Sequence, residues 1–162
     1  MKVEHTLKPI YNKNTKILIL GSIPSIVSRK NNFYYSHKTN RFWKIMETLY
    51  ATNLNTIEEK TNFLLLNNIG LYDMIKSCEI NGADDSSLKN IEVNDIDEIV
   101  KNTNIKYVFL TGKASYNLYE KYFKNLNVEY FYLPSTSTRN AHYKFEDLLN
   151  IYKIIKEKND TL

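Results

Sequence analysis

The sequence contains one cysteine, Cys78, among 162 residues. A single thiol excludes an internal disulfide framework and any four-cysteine cluster or zinc site. Glycine and proline are also scarce, with four and three residues. No stretch rich in proline, glycine or serine divides the chain, and no segment repeats. We therefore expect one domain over residues 1–162, within the usual domain size of about 100–200 residues.

Long apolar runs are missing as well. Charged side chains interrupt every apolar segment well short of a membrane span. The first five residues, Met-Lys-Val-Glu-His, lack the apolar stretch of a secretion signal. One cysteine and three histidines show no recognisable metal-ligand spacing. We expect a cytoplasmic protein that has no contact with membranes and needs neither a metal nor another cofactor.

Acidic side chains are missing from one long segment. None lies between Glu4 and Glu47, a segment that contains eight lysines and arginines. Residues 1–50 carry a net charge of +7, residues 51–105 of −6 and residues 106–162 of +3. Cations without carboxylates suit a polyanion such as nucleic acid. A solvated face in a lysine-rich protein would give the same count, so charge alone leaves both interpretations open.

Four short apolar runs predict β-strands at residues 17–20, 69–72, 107–110 and 128–133. Nearly continuous apolar runs are typical of strands that are covered on both faces. Five segments between and after these runs have helical patterns. The first starts near Asn40, and the next two follow the candidate caps Thr56 and Asn94. The fourth covers about residues 113–123, and the fifth carries an apolar stripe from Phe145 to Ile155. Alternating strands and helices predict an α/β fold with a parallel sheet between two helical layers.

Ligands bind outside the carboxyl ends of the strands in such sheets. The loops that follow the predicted strands are therefore the candidate binding loops, at residues 21–39, 73–87, 111–113 and 134–140. The first loop begins Gly-Ser-Ile-Pro-Ser at residues 21–25, and its glycine permits a ligand to approach the backbone closely. No Gly-Lys-Ser/Thr follows at the spacing of a phosphate-binding loop, and the dinucleotide fingerprint is absent. A plain turn is the alternative interpretation.

Aromatic and basic residues alternate at residues 33–43, which read Phe-Tyr-Tyr-Ser-His-Lys-Thr-Asn-Arg-Phe-Trp. Proteins hold unstacked bases and their backbone with such interleaved side chains. The alternative is structural: Phe33 and Tyr34 fill a core edge, while Asn40 caps a helix. The loop at 134–140 carries hydroxyls and an arginine that suit phosphates, or else it caps the last helix.

Together these segments resemble the uracil-DNA glycosylase superfamily. Residues 21–25 and 34–43 carry two of its motifs. The Gly-Leu-Tyr-Asp of residues 70–73 with Cys78, and the Leu-Pro-Ser-Thr-Ser of residues 133–137, narrow the resemblance to the sixth family, the hypoxanthine-DNA (deoxyinosine) glycosylases. The resemblance covers the whole chain. It implies a three-layer α/β/α fold with four parallel strands, and hydrolysis of the N-glycosidic bond of a deaminated base flipped out of DNA.

The resemblance also implies roles for individual residues. Asn40 would be the catalytic residue, because Ile23 and Leu133 stand where related branches carry polar catalytic groups. The Asn40 amide oxygen can orient a water molecule toward C1′ of the sugar. Tyr35 would stack on the flipped base. Asp73 would accept a hydrogen bond from N1–H of hypoxanthine, unless it only caps a turn.

The remaining predicted residues contact the base or the DNA backbone. Backbone N–H groups of Gly21, Ser22 and Ile23 would face O6 of the base. The expected DNA contacts are Ser25, Lys38, Ser135, Thr136, Ser137 and Arg139. The hydroxyls would grip phosphates, and the arginine would fill the gap in the base stack.

No lysine is singled out as a Schiff-base nucleophile. We therefore expect a monofunctional glycosylase that acts as a monomer on DNA containing deaminated bases, without an obligate protein partner. Hypoxanthine would be the preferred base. Three alternatives are open at this point: a non-enzymatic nucleic-acid-binding module, a uracil-preferring mismatch glycosylase and a hydrolase of small nucleosides.

Overall fold

Four parallel strands form the central sheet of the computed structural model, which describes residues 1–81 and 87–162. The strands are β2 (Ile17–Gly21), β3 (Ile69–Asp73), β6 (Tyr107–Thr111) and β7 (Glu129–Leu133). They lie in the order β3-β2-β6-β7, and all three pairings are parallel. The predicted sheet is therefore confirmed. Residues 82–86 of the predicted loop 73–87 lie outside the described residues.

Apolar side chains cover both faces of this sheet, because successive side chains of a strand point to opposite sides. In β2, Ile17 and Ile19 belong to one hydrophobic core, and Leu18 and Leu20 belong to the other. None of these four residues has exposed surface. The nearly continuous apolar runs of the sequence follow from this burial on both sides.

Helices complete the layers on both faces, as predicted. On one face lie α2 (Phe42–Tyr50), α3 (Ile57–Leu66) and α6 (Phe145–Asp160). On the other face lie α4 (Ile96–Lys101), α5 (Lys113–Phe123) and a second sheet. A short helix, α1 (Ile26–Asn31), follows the end of β2. Within the described ranges, no helix has the length and apolar content needed to cross a membrane.

The second sheet was not predicted. It is antiparallel and consists of β1 (Lys2–Glu4), β4 (Ile75–Glu79) and β5 (Lys89–Val93), in the order β1-β4-β5. The strand β1 has only three residues, which is too short for a recognisable alternation. Only Met74 separates β4 from β3, and polar side chains interrupt β4, so the sequence shows no second apolar run there.

The predicted helix cap is confirmed at Thr56, whereas the cap of α4 differs from the predicted one. Thr56 and Glu59 form the predicted capping box, with reciprocal hydrogen bonds of 3.0 and 3.1 Å. The α4 cap is Asp95, whose Oδ1 accepts from the N–H of Glu98 at 3.1 Å. The prediction of Asn94 was wrong because its buried side chain contacts the end of β3 instead.

Candidate active site

The carboxyl ends of three neighbouring strands place Asp73, Gly21 and Thr111 side by side. Gly21 of β2 pairs with Asp73 of β3, and β6, which ends at Thr111, lies on the other side of β2. A Cβ atom at position 21 would lie 2.6 Å from Asp73 Oδ1 and 3.6 Å from Thr111 Oγ1. The missing side chain of Gly21 therefore lets the Asp73 carboxylate reach the sheet edge.

The first strand-end loop is tied to the residues that follow Asp73. The carbonyl oxygens of Gly21 and Ser22 accept hydrogen bonds from the N–H groups of Met74 and Ile75, at 2.8 and 3.0 Å. Ser22 and Ile23 are half-buried. Of the predicted base-contacting residues 21–23, Gly21 lies beside the Asp73 carboxylate, and Ser22 is tied to the main chain that follows it.

Tyr35 enters the same place from the loop after α1. Its backbone is left-handed, with φ of 52°, which is uncommon for a residue with a side chain. Its ring stacks on Phe42, with 4.1 Å between centroids and 13° between planes. Thr111 Oγ1 donates to the carbonyl of Leu20, so the Tyr35 hydroxyl donates to Thr111 Oγ1 at 3.2 Å. One ring face and the hydroxyl tip are therefore held by protein.

The other aromatic residues of this segment belong to the core. Phe33 and Tyr34 are buried. Phe33 stacks on Trp43 at 5.7 Å between centroids, and Trp43 Nε1 donates to the Tyr34 carbonyl at 2.9 Å. The structural interpretation is confirmed for Phe33 and Tyr34, whereas the Tyr35 hydroxyl bonds to Thr111 at the end of β6.

His5 contacts the Asp73 carboxylate, and sequence reasoning missed it. Its Nε2 lies 2.8 Å from Asp73 Oδ2, and the two side chains are 1% and 6% exposed. The sequence offers little indication of this contact because 68 positions separate the two residues. Within the described chain, the Asp73 carboxylate accepts from no backbone N–H, so its geometry differs from that of a turn cap.

Asn94 holds the backbone of Asp73. Its Nδ2 donates to the Asp73 carbonyl at 2.9 Å, and its Oδ1 accepts from the Tyr72 hydroxyl at 3.1 Å. Both bonds are made by a side chain that is 5% exposed. The end of β3 is therefore fixed through its main chain as well as through the carboxylate.

The charge of the Asp73 carboxylate acts on three nearby tyrosines, whose hydroxyls bond to other groups. Burial, and after it the charge of Asp73, raises the pKa of Tyr34, Tyr35 and Tyr72 above the usual tyrosine value. Among the described side chains, His5 is the one basic group within ion-pair distance of Asp73. None of these side chains forms a group of three or more His, Cys, Asp or Glu that could hold a metal ion. The site thus offers a hydrogen-bond acceptor in largely neutral surroundings.

Asn40 directly follows the first strand-end loop and contacts the last one. Its Oδ1 accepts from the N–H of Phe42 and from the hydroxyl of Thr136, each at 2.9 Å. Helix α2 begins at Phe42, and Arg41 makes no side-chain cap, so Asn40 supplies the acceptor at the helix start. Both lone pairs of its amide oxygen are occupied. Within the described residues, its Nδ2 group has no hydrogen-bond partner.

Arg41 ties the start of α2 to the last strand-end loop. Its guanidinium donates to the carbonyls of Thr136, Ser137 and Asn140 at 3.2, 2.7 and 3.3 Å, and to that of Tyr143. Its backbone N–H donates to the Thr136 carbonyl at 3.2 Å. Sequence reasoning did not single out Arg41, although a fork of five donors suits several carbonyls at once.

The predicted DNA contacts differ in their exposure. The members with accessible surface are Ser25, Lys38, Ser135, Ser137 and Arg139. Ser25 also caps α1, because its Oγ accepts from the N–H of Ser28 at 3.1 Å. Thr136 is only 1% exposed, with its hydroxyl on Asn40. This burial argues against the predicted contact of the Thr136 side chain with a phosphate.

Comparison with known proteins matches residues 8–156 to the family model of the uracil DNA glycosylase superfamily. The chain belongs to the uracil DNA glycosylase superfamily. A protein of Methanosarcina barkeri named hypoxanthine DNA glycosylase is 36% identical over 111 residues, which are 66% of this chain and 70% of the relative. A Methanosarcina acetivorans protein of the same name is 38% identical over 88 residues, 53% of this chain and 56% of the relative.

The fold of this uracil DNA glycosylase homologue is also found in a solved structure. A solution NMR structure from Methanosarcina acetivorans, described as a candidate uracil DNA glycosylase, superposes with a TM-score of 0.81 at 26% identity and covers 96% of this chain and 99% of that one. Family and fold confirm the resemblance and the prediction of a DNA glycosylase. The family match begins at residue 8, so it includes every predicted site residue and leaves out His5.

Proposed function

We propose that this chain excises hypoxanthine from DNA by hydrolysing the N-glycosidic bond, which leaves an abasic site. The observation that carries the proposal is the buried Asp73 carboxylate at the strand ends, with Oδ1 beside Gly21 and Oδ2 held by His5. A carboxylate accepts hydrogen bonds and donates none, so it suits a base with an imino N–H. The names of the two Methanosarcina relatives support the same base.

The hydrogen-bonding edges of the bases give the order of preference. Hypoxanthine presents N1–H between C2–H and O6, so Asp73 Oδ1 can accept from N1–H without facing a second oxygen. Uracil presents N3–H between two carbonyls, and both would lie close to the carboxylate. Adenine presents a lone pair at N1, which leaves the buried acceptor without a partner. A site built to bind a donor discriminates strongly against a base that lacks it.

Two further groups complete the proposed base site. Backbone N–H groups of Gly21, Ser22 and Ile23 face O6 in this proposal, and the pairing of Gly21 with Asp73 supports this role. The flipped base stacks on the face of Tyr35 opposite to Phe42. Because Phe42 is fully buried behind Tyr35, the ring is preorganised as a rigid platform, which lowers the entropic cost of holding the base.

Asn40 positions the attacking water in this proposal. The transition state of glycosidic cleavage resembles an oxocarbenium ion, which needs a well-placed water more than a strong base. The oxygen of Asn40 is occupied by Phe42 and Thr136, so its Nδ2 group donates to the water and leaves a lone pair directed at C1′. The water oxygen bonds to C1′, the electron pair of the N9–C1′ bond leaves with the base, and a water proton ends on the base.

The DNA backbone binds across the accessible polar side chains. Lys38 and Arg139 are exposed cations on the first and last strand-end loops, and Ser25, Ser135 and Ser137 offer hydroxyls on the same two loops. Phosphate contacts of this kind position the duplex and do not read sequence. Arg139 enters the base stack when the target nucleotide leaves it. Thr136 acts through Asn40 and takes no part in phosphate binding.

The test is a base-release panel with oligonucleotides that carry one hypoxanthine, uracil, xanthine or adenine. Free base is measured by chromatography with enzyme in excess over DNA. We expect hypoxanthine release at least about tenfold faster than uracil release, and no adenine release. In Asp73→Asn, His5 donates to the amide oxygen, so the amide NH₂ faces the base. This donor meets the N1–H donor of hypoxanthine, so hypoxanthine release should fall while the fold persists.

Other outcomes of the panel separate the alternatives. Faster release of uracil than of hypoxanthine would make the chain a uracil-preferring glycosylase, as the description of its structural neighbour suggests for that protein. Tight DNA binding with no release of any base would indicate a binding module. Cleavage of free inosine at the rate found with DNA would indicate a nucleoside hydrolase.

A further inference from the structure

We propose that His5 is a positioning residue that keeps Asp73 a hydrogen-bond acceptor, and that recognition of the base depends on this buried pair. The inference rests on the proposed function and deepens it. His5 lies before the segment matched by the family model. It also lies outside the central sheet that carries the other base-site residues, since it directly follows β1 of the second sheet.

Geometry ties His5 to the site from the second sheet. The N–H of His5 donates to the carbonyl of Lys76 at 2.8 Å, next to the pairing of β1 with β4. Its ring packs edge-on against Tyr72 at 5.1 Å between centroids, with 1% of the side chain exposed. The ring is therefore held rigidly with Nε2 on Asp73 Oδ2, at 2.8 Å.

The protonation of the ring follows from its surroundings. His5 Nδ1 is buried and has no hydrogen-bond partner within the described part of the chain. Buried N–H donors without a partner are rarer than buried acceptors without one, so Nδ1 carries the lone pair and Nε2 carries the proton. The Nε2–H donates to Oδ2 and leaves Oδ1, beside Gly21, as the acceptor that faces the base.

Removal of the His5 side chain changes the hydrogen-bonding role of the Asp73 carboxyl. His5 is hydrogen-bonded to the carboxylate, and the neutral tyrosines Tyr34, Tyr35 and Tyr72 lie near enough for its charge to raise their pKa values. No Lys or Arg of the described residues lies within ion-pair distance. A buried carboxyl without a partner takes up a proton, because burial disfavours its charged form. The protonated group presents an O–H, which matches adenine N1 and clashes with N1–H of hypoxanthine.

The experiment compares three variants of His5 in the full-length protein. Gln places an amide N–H near the position of Nε2, Asn is shorter and does not reach Asp73, and Leu has no donor. Single-turnover release of hypoxanthine is measured from about pH 6 to about pH 9. We expect His5→Gln to stay within about threefold of the unmodified protein, and His5→Asn and His5→Leu to lose about tenfold or more near neutral pH.

The pH profile separates positioning from a purely structural role. In His5→Asn and His5→Leu, release should recover as the pH rises, because the carboxyl of Asp73 loses its proton again. Val3→Ala is the matched control, since it loosens the buried anchor of β1 without touching Asp73. It should lower the melting temperature and leave the pH profile unchanged. If His5→Leu fails to fold, the contrast between Gln and Asn decides.

Failure of this inference differs from failure of the proposed function. Equal loss in the Gln and Asn variants, or a loss in Asn and Leu that is constant across pH, would overturn the role of His5. A profile of Val3→Ala that shifts like that of His5→Asn would do the same. Absence of hypoxanthine release from the unmodified protein would instead refute the proposed function.

Discussion

The hydroxyl of Thr136 donates a hydrogen bond of 2.9 Å to Oδ1 of Asn40. The N–H of Phe42 donates to the same oxygen, and two donors require that the amide oxygen, and not the amino group, faces them. The Nδ2 group therefore points away from both. Arg41 in turn holds the Thr136 carbonyl, so the last strand-end loop orients Asn40, which follows the first loop.

Replacement of Thr136 tests this orientation. Thr136→Val keeps the shape of the side chain and removes the donor, so the Asn40 amide can turn. We expect single-turnover excision to fall by about ten- to a hundredfold, the scale of loss that small misplacements cause, with DNA affinity unchanged. Thr136→Ser keeps the hydroxyl and should stay near the unmodified rate. If Thr136→Val binds DNA more weakly but excises the base at an unchanged rate, Thr136 would be a phosphate contact instead.

Substitutions of Asn40 separate its cap from its chemistry. Asn40→Ala should lower the free energy of unfolding by roughly 0.5–2 kcal/mol, as loss of a helix-start acceptor does. Asn40→Ser should restore most of that stability, because serine also caps well. Neither variant should excise hypoxanthine at more than a small fraction of the unmodified rate, since neither places an amide at the water. Both should still bind DNA, which a fluorescence-anisotropy titration measures.

Near-normal excision by Asn40→Ser would contradict the catalytic role and leave the amide as a helix cap. Asn40→Asp is a further comparison. It keeps the two hydrogen bonds to Phe42 and Thr136 and replaces the amino group by an oxygen. It should fold as well as the unmodified protein and lose excision, because the group that donates to the water is gone.

Tyr35 should act through its ring. Stacking of a base on an aromatic side chain contributes roughly 1–3 kcal/mol, so Tyr35→Ala should slow single-turnover excision accordingly. Tyr35→Phe loses the hydrogen bond to Thr111 and should retain most of the rate. Burial raises the pKa of Tyr35 far above its ordinary value, so its hydroxyl should contribute no titration to the rate below about pH 10. Equal damage by Phe and Ala would indicate that the hydroxyl is the functional part.

A methyl group at position 21 should interfere with Asp73. In Gly21→Ala the added Cβ would lie 2.6 Å from Oδ1, which forces the carboxylate to move. We expect a loss of hypoxanthine excision of about tenfold or more, measured in single turnover, with a far-ultraviolet circular dichroism spectrum like that of the unmodified protein. An unchanged rate would show that the position of Oδ1 is unimportant.

Arg41→Lys should destabilise the protein because a single ammonium cannot reach four carbonyls at once. We expect the free energy of unfolding from urea titration to fall by roughly 1.5–3 kcal/mol, the contribution of a hydrogen bond to a charged group. Arg139→Lys is the matched control on an exposed arginine and should change stability by less than about 0.5 kcal/mol. Equal stability of the two variants would contradict the role of Arg41 as the tie between loops.

Local sequence determined the four parallel strands, the helices α2 to α6, and the loops that carry the site. Strands buried on both faces must be apolar throughout, and helices packed on one side need an apolar stripe. Both patterns are visible within a few residues. The motifs at the strand ends likewise placed Gly21, Tyr35, Asn40 and Asp73 at one edge, because parallel strands present their carboxyl ends together.

The tertiary structure decided which partner each of these groups has. His5 meets Asp73 across 68 positions and Thr136 meets Asn40 across 96. Hydrogen bonds between such distant residues depend on how sheets and loops pack. The periodicity of neighbouring residues in the sequence does not predict them. The same packing turned Thr136 inward and made Asp95 the cap of α4. Residue types and their order therefore specified the chemistry available at the strand ends, and the packing of loops and the second sheet selected which atoms face the substrate.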